Sequence, residues 1–137
     1  MVFRKLTKQE FYGVAYNIMW HVFDFIDDGP EYYFCETLGV FINDELAGCI
    51  LFDFIKNNGI KENYVITATK FQGLGYGKLL QEELIKLGQE TCDFILVYPA
   101  DDSLVPFYKK CGFEEIENSR EMRLDLTKKR SKYFPLA

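Results

Sequence analysis

The sequence predicts a layered α/β (α+β) domain built on one central sheet, with elements in the order β-α-β-β-β-α-β-α-β-β. Three observations carry that prediction. Residues 11 to 26 repeat apolar side chains at helical spacing, with Phe11, Val14, Ala15, Ile18, Met19, Val22, Phe23 and Ile26 on one face. β-rich runs are parted by short turns at "NDE" (43 to 45) and "NNG" (57 to 59). Phe94 to Ala100 is a continuous apolar run, the pattern of a strand buried on both faces. A chain of 137 residues suits a single core, so one domain is expected over 1–127, with 128–137 as a tail.

The elements follow in turn. "VFRKL" opens as a short strand. Thr7 precedes the first helix and Glu10 stands three residues on, the spacing of a capping box. The opposite helix face carries Gly13, Asn17, Trp20 and Asp24, and "DDGPE" (27 to 31) stops the helix. "CETLGVFI" and "LAGCILFDFI" pair as a hairpin, and "IKENYVITAT" is the next strand. A glycine-rich loop leads into a helix from about Gly75 to Leu87, with Leu79, Leu80, Leu84 and Leu87 as its apolar stripe. In "DDSLVPFYKKCGF" Asp102 or Ser103 caps a short helix. Pro106 lies in its first turn, where a missing N–H costs little, and Gly112 supplies a left-handed stop. "FEEIEN" and "SREMRLDL" close the domain as two strands.

Composition narrows the partners. Hydrophobic residues make up 48% and the net charge is -5, which describes a globular, acidic chain. Such a chain is a poor match for a phosphate backbone, so no nucleic acid is expected, and it favours cationic ligands such as amines. The opening "MVFRKLTKQEF" has no long apolar stretch and no run elsewhere is long enough to span a bilayer, so neither a signal peptide nor a membrane is expected. Cys35, Cys49, Cys92 and Cys111 are widely spaced, and with the single histidine, His21, they make no standard zinc pattern. They read as packing residues of a reducing, cytoplasmic compartment, with no metal.

"TKFQGLGYGKLL" (69 to 80) holds the strongest local signal, with Gly73, Gly75 and Gly77 at every second position before Lys78. A strand that enters such a turn and then a helix aims several backbone N–H groups, and the positive end of the helix dipole, at one point. A phosphate-bearing ligand fits there: a nucleotide, a dinucleotide or a coenzyme pyrophosphate. The Walker pattern fails, because four residues separate its glycines and Ser or Thr follows its lysine, whereas here one residue separates them and Leu79 follows Lys78. The dinucleotide fingerprint needs glycine where Lys78 stands.

Two motifs together resemble the GNAT superfamily of N-acetyltransferases. Gln72-Gly73-Leu74-Gly75-Tyr76-Gly77 meets the family signature Q/R-x-x-G-x-G/A. Phe107-Tyr108-Lys109-Lys110-Cys111-Gly112-Phe113 meets a second signature, F-Y-x-x-x-G-F, about thirty residues on. The resemblance spans roughly residues 2 to 126. It implies a mixed, mostly antiparallel central sheet flanked by helices, with acetyl-CoA, or another acyl-CoA, as donor. It implies that the pyrophosphate sits on backbone amides from Gln72 to Lys78 (Gly73, Leu74, Gly75, Tyr76 and Gly77 between them). The pantetheine arm is then expected along Val65, Ile66 and Thr67, as an added half-strand. Where many members carry Asn before the second helix, this chain has "ADDS", and Ser103 or Asp101 is expected to take that contact.

Tyr108 resembles the family's general acid, and a phenol of pKa about 10 is protonated at neutral pH, as that role requires. For the base, two strand residues stand open, Glu62 and Asp53, acting directly or through water. Cys111 is read as a packing residue. The expected activity is direct transfer of an acyl group to a primary amine of a small molecule or peptide, by a monomer or homodimer. A non-catalytic acyl-CoA-binding module of the same fold is the alternative, since fold does not fix function. "KKRSK" (128 to 132) is expected to be a solvated tail.

Overall fold

The computed structural model describes residues 1–22 and 35–127, apart from the His21 side chain. The helix stop at "DDGPE", the side chains of Phe23, Asp24 and Ile26, and the basic tail lie outside the described residues. Strand β1 (Val2–Lys5) leads to helix α1, which runs through Lys8–Glu10, Phe11–Ala15 and Tyr16–Val22. Strands β2 (Glu36–Ile42), β3 (Glu45–Ile55) and β4 (Gly59–Thr67) precede helix α2 (Tyr76–Thr91). Strand β5 (Phe94–Val97), helix α3 (Val105–Lys110) and strands β6 (Glu114–Glu115) and β7 (Met122–Asp125) complete the order read from the sequence. The strands form one sheet in the order β1-β2-β3-β4-β5-β7-β6. It is mixed: β4 and β5 run parallel, while β1 with β2, β2 with β3, β5 with β7 and β6 with β7 are antiparallel. No helix among the described residues is long and apolar enough to cross a membrane.

The chain divides into two compact units, residues 1–52 with 64–83, and residues 53–63 with 84–137. In the first unit the capping box at α1 forms as its spacing predicts. The Thr7 hydroxyl accepts from the Glu10 N–H and the Glu10 carboxylate accepts from the Thr7 N–H. Arg4 donates to both oxygens of the same carboxylate, and these bonds, Arg4 first, hold the Glu10 carboxyl down at about 2.

Past that turn α1 widens, since the Tyr16 N–H reaches back five residues to the Phe11 carbonyl. The wider turn carries Val14 outward, 45% exposed, and leaves Phe11, Ala15 and Met19 as the buried stripe. That stripe packs on Leu46, Cys49, Leu51 and Ile66 of β3 and β4. The opposite sheet face meets α2, where Leu80 approaches Gly48 and the start of the helix approaches Val65. Gly48 is required by its neighbour, because a Cβ there would stand 2.7 Å from the Ile66 carbonyl oxygen. The β2–β3 turn places Asn43 and Asp44 at φ 50° and 67°, the two positive angles of a tight hairpin turn. Burial, then the nearby Cys35, pushes the Cys49 thiol up to about 12, as suits a packing residue rather than a nucleophile.

In the second unit β5 is buried on both faces, as its unbroken apolar run predicts: Phe94, Ile95 and Val97 are all buried. Gly88 of α2 lies against Leu126, Ile60 and Ile95. The buried stripe of α2 is Leu80, Gln81, Leu84, Ile85 and Gly88, with Leu79 and Leu87 only half-buried. The helix therefore presents a face turned slightly from the leucine stripe that periodicity picks out. Strand β6 is two residues long, far shorter than "FEEIEN" predicts.

Candidate functional site

The glycine loop grows out of the end of β4. Pairing of β4 with β5 ends at Glu62 and Val97, and β4 continues through Val65, Ile66 and Thr67. Ile66 points its side chain into the core against α1, so what it offers a ligand is backbone. A single 3-10 turn, Thr69–Phe71, follows. The Gln72 amide Nε2 donates to the Thr67 carbonyl at 3.2 Å, and the Gln72 N–H donates to the Thr69 carbonyl at 3.3 Å. Gln72 thus braces the loop, and its own N–H already has an acceptor. Lys70 adds an ion pair to Glu45 at 2.7 Å, and Phe71 meets Tyr76 edge to face.

Beyond Gln72 the loop is open. Gly73 and Gly75 adopt φ 80° and 87°, a region that side chains rarely tolerate, and a Cβ on either would meet nothing within 4 Å. Leu74 between them is 64% exposed. Helix α2 starts at Tyr76, with its first ladder bond from the Leu79 N–H to the Gly75 carbonyl. The N–H groups before Leu79 have no carbonyl in the helix to receive them. An exposed backbone with spare donors at a helix start fits a diphosphate.

The second unit brings together two residues that stand 46 apart in sequence, Glu62 and Tyr108. Glu62 on β4 is 2% exposed, although it is ionisable, and Tyr108 on α3 is 7% exposed. The Tyr108 hydroxyl donates to Glu62 Oε2 at 3.4 Å. Phe107 and Phe113 pack edge to face on the Tyr108 ring, with centroids 5.2 and 5.6 Å away. The end of α3 is closed by bonds from the Cys111 and Phe113 N–H groups to the Tyr108 carbonyl, and Gly112 at φ 102° turns the chain as expected. Burial first, then the Glu62 charge and hydrogen bond, raise the Tyr108 phenol well above its ordinary value, so it is protonated at neutral pH.

Asp53, the other candidate base, is exposed and accepts a bond from Asn63 at 2.9 Å. Neither Asp102 nor Ser103 caps α3: Asp101 caps the 3-10 turn Asp102–Leu104 that leads into it, its carboxylate accepting from both the N–H and the hydroxyl of Ser103, and Leu104 precedes α3 itself with no side-chain bond. Those bonds hold the Asp101 carboxyl below its usual range. The Asp-x-Ser spacing carried that signal in the sequence; the Glu62–Tyr108 contact had none.

A family model described as the acetyltransferase (GNAT) family matches residues 2–113. The chain belongs to the GNAT acetyltransferase family. Solved structures show the same fold at low identity. The ribosomal-protein-S18-alanine N-acetyltransferase from Escherichia coli superposes with a TM-score of 0.73 at 15% identity, covering 91% of this chain and 93% of that one. Tetrahymena GCN5 gives 0.70 at 18% identity, covering 92% and 96%. A GNAT-family acetyltransferase from Staphylococcus aureus Mu50 gives 0.68 at 18%, covering 91% and 99%. At such identities these likenesses speak for the GNAT fold alone. The matched residues include both the glycine loop and the "PFYKKCGF" helix.

Proposed function

We propose that the protein transfers an acetyl (acyl) group from acetyl-CoA to a primary amine of a small molecule or peptide, by direct attack in a ternary complex. The buried contact between Tyr108 and Glu62 carries this reading. A neutral phenol and a carboxylate are the acid and base that acylation of an amine needs. Glu62 takes the proton the attacking amine sheds. Tyr108 gives its proton to the departing thiolate. Backbone N–H groups near Val65 to Thr67 are assigned to the carbonyl oxygen as it gains charge. The pyrophosphate is assigned to loop amides from Gly73 to Lys78 and the pantetheine arm to β4 beyond Glu62, with Ser103 as a further contact. The acidic charge of the chain favours a cationic acceptor, and the cytoplasm is the compartment proposed.

The test is a screen for thiol release from acetyl-CoA over amines and free-N-terminus peptides, run beside calorimetric titration with coenzyme A. Release that requires both protein and acceptor is expected. Coenzyme A binding with no release across the panel would identify a non-catalytic acyl-CoA-binding module. Binding of ATP or NAD without coenzyme A would overturn the cradle assignment as well.

A further inference from the structure

We infer that Glu62 and Tyr108 form one proton relay with a built-in order, in which Tyr108 can act as acid only after Glu62 has acted as base. The relay rests on the acyltransfer reading above, and it starts from a detail of the contact. Tyr108 carries a single hydroxyl proton, and that proton points at Glu62 Oε2. Both groups are buried, so bulk water does not readily recharge either one. While Glu62 is ionised, loss of the Tyr108 proton to any acceptor would leave two negative oxygens 3.4 Å apart in a medium that screens them poorly.

Arrival of a proton on Glu62 reverses the situation. As the amine nitrogen bonds to the thioester carbon, its N–H bond breaks and the proton passes to the Glu62 carboxylate. The carboxyl O–H can then donate to the Tyr108 oxygen. As the C–S bond breaks, the Tyr108 proton goes to the sulfur and the Glu62 proton moves to the phenolate oxygen. The products are an amide and a free thiol. Glu62 is ionised and Tyr108 protonated again, and the net movement is one proton from nitrogen to sulfur. A separation of 3.4 Å is long for an O–H···O bond, which is commonly near 2.8 Å, and such contacts often tighten when substrate binds.

Two measurements decide it, on wild type, Glu62→Gln, Tyr108→Phe and the double variant. The first follows the Tyr108 phenol by NMR with 13C-labelled tyrosine, its signal assigned by its loss in Tyr108→Phe. Cys111 is the other titratable group bearing on this phenol. The phenol is expected to ionise at lower pH in Glu62→Gln than in wild type, and an unchanged midpoint overturns the relay. The second is a double-mutant cycle in kcat/KM. A relay predicts that the double variant loses no more than the worse single variant, because either substitution already breaks the whole path. Losses that multiply show an acid and a base acting independently, and overturn the relay while leaving the acyltransfer activity in place. A wild type that transfers no acyl group to any acceptor removes the activity and the relay with it. Should glutamine unfold the protein at this buried position, Glu62→Asp withdraws the carboxylate by one methylene, and the same two readouts decide.

Discussion

In the loop of residues 72–78, the proposed pyrophosphate cradle, the exposed surface is backbone. Gly73 and Gly75 hold positive φ with open space where side chains would begin, and Leu74 points away into solvent. At Glu62 and Tyr108, the proposed base and acid, the side chains are what the chain offers, the backbone is spent on β4 and α3, and both groups are buried. The first region depends on what is missing from its residues. The second depends on individual oxygen atoms and on the rings of Phe107 and Phe113 packed against Tyr108. A ligand recognised by backbone tolerates sequence change around the glycines, whereas proton transfer by buried side chains tolerates none at the atoms involved.

Three substitutions or conditions would break that contrast or sharpen it. The largest effect is expected from Tyr108→Phe, which keeps the ring packing and removes one oxygen. Loss of a general acid typically costs about 10²–10⁴-fold in rate, so kcat should fall in that range while the coenzyme A dissociation constant stays within about threefold. Parallel losses in turnover and binding would show that Tyr108 belongs to the binding region, and equal turnover would remove it from the acid role.

Gly75→Ala should do the reverse. A Cβ at φ 87° meets no atom, so the penalty is the left-handed backbone itself, about 1–2 kcal/mol. Calorimetry should find coenzyme A binding weakened about tenfold as the loop relaxes, with kcat at saturating acetyl-CoA little changed. A fall in kcat without a change in affinity would contradict a backbone cradle.

The smallest effect separates the two regions by pH. The Tyr108 phenol is raised in the folded protein above its ordinary value near 10, so the folded state keeps a proton that the unfolded chain releases. Stability from this group is fully present below about pH 10 and is lost as pH rises further, at no more than about 1.4 kcal/mol per pH unit. Cys49, raised to about 12, contributes with the same sign. Denaturant titrations from pH 9 to 11 should show a shallower alkaline decline in Tyr108→Phe than in wild type, and an unaltered slope in Gly75→Ala. Identical slopes in all three proteins would mean that the phenol is not held protonated by its surroundings.

The two regions also differ in how legible they were. The glycine loop is a local pattern: Gln72 through Lys78 are contiguous, and a turn, a helix start and left-handed glycines follow from neighbouring residues alone. The same locality explains why the Thr7–Glu10 capping box, the Asn43–Asp44 turn and the order of strands and helices could be read in advance. Besides the short β6 and the Asp101 cap, three features escaped, each for a nonlocal or subtle reason. Val14 lies on the expected helix face by period, but the five-residue hydrogen bond from Tyr16 to Phe11 turns it out. The α2 stripe is set by what lies opposite Leu80 and Gly88, not by leucine spacing. Asp53 and Glu62 look alike as strand carboxylates, and only packing distinguishes them.

By itself the sequence determined the α/β order, the glycine-rich turn before α2 and the family motifs, because each is written within a few adjacent residues. Tertiary structure alone decided which carboxylate meets the phenol. Glu62 and Tyr108 are joined by no periodicity and no shared motif. They meet because β4 runs beside β5 and α3 closes at Gly112, which buries an ionisable side chain against a tyrosine. A strand carboxylate left in water, as at Asp53, has little influence on a neighbour, whereas the same group shielded from water, as at Glu62, acts strongly on the charge state of the group it touches, which is the basis of the proposed relay.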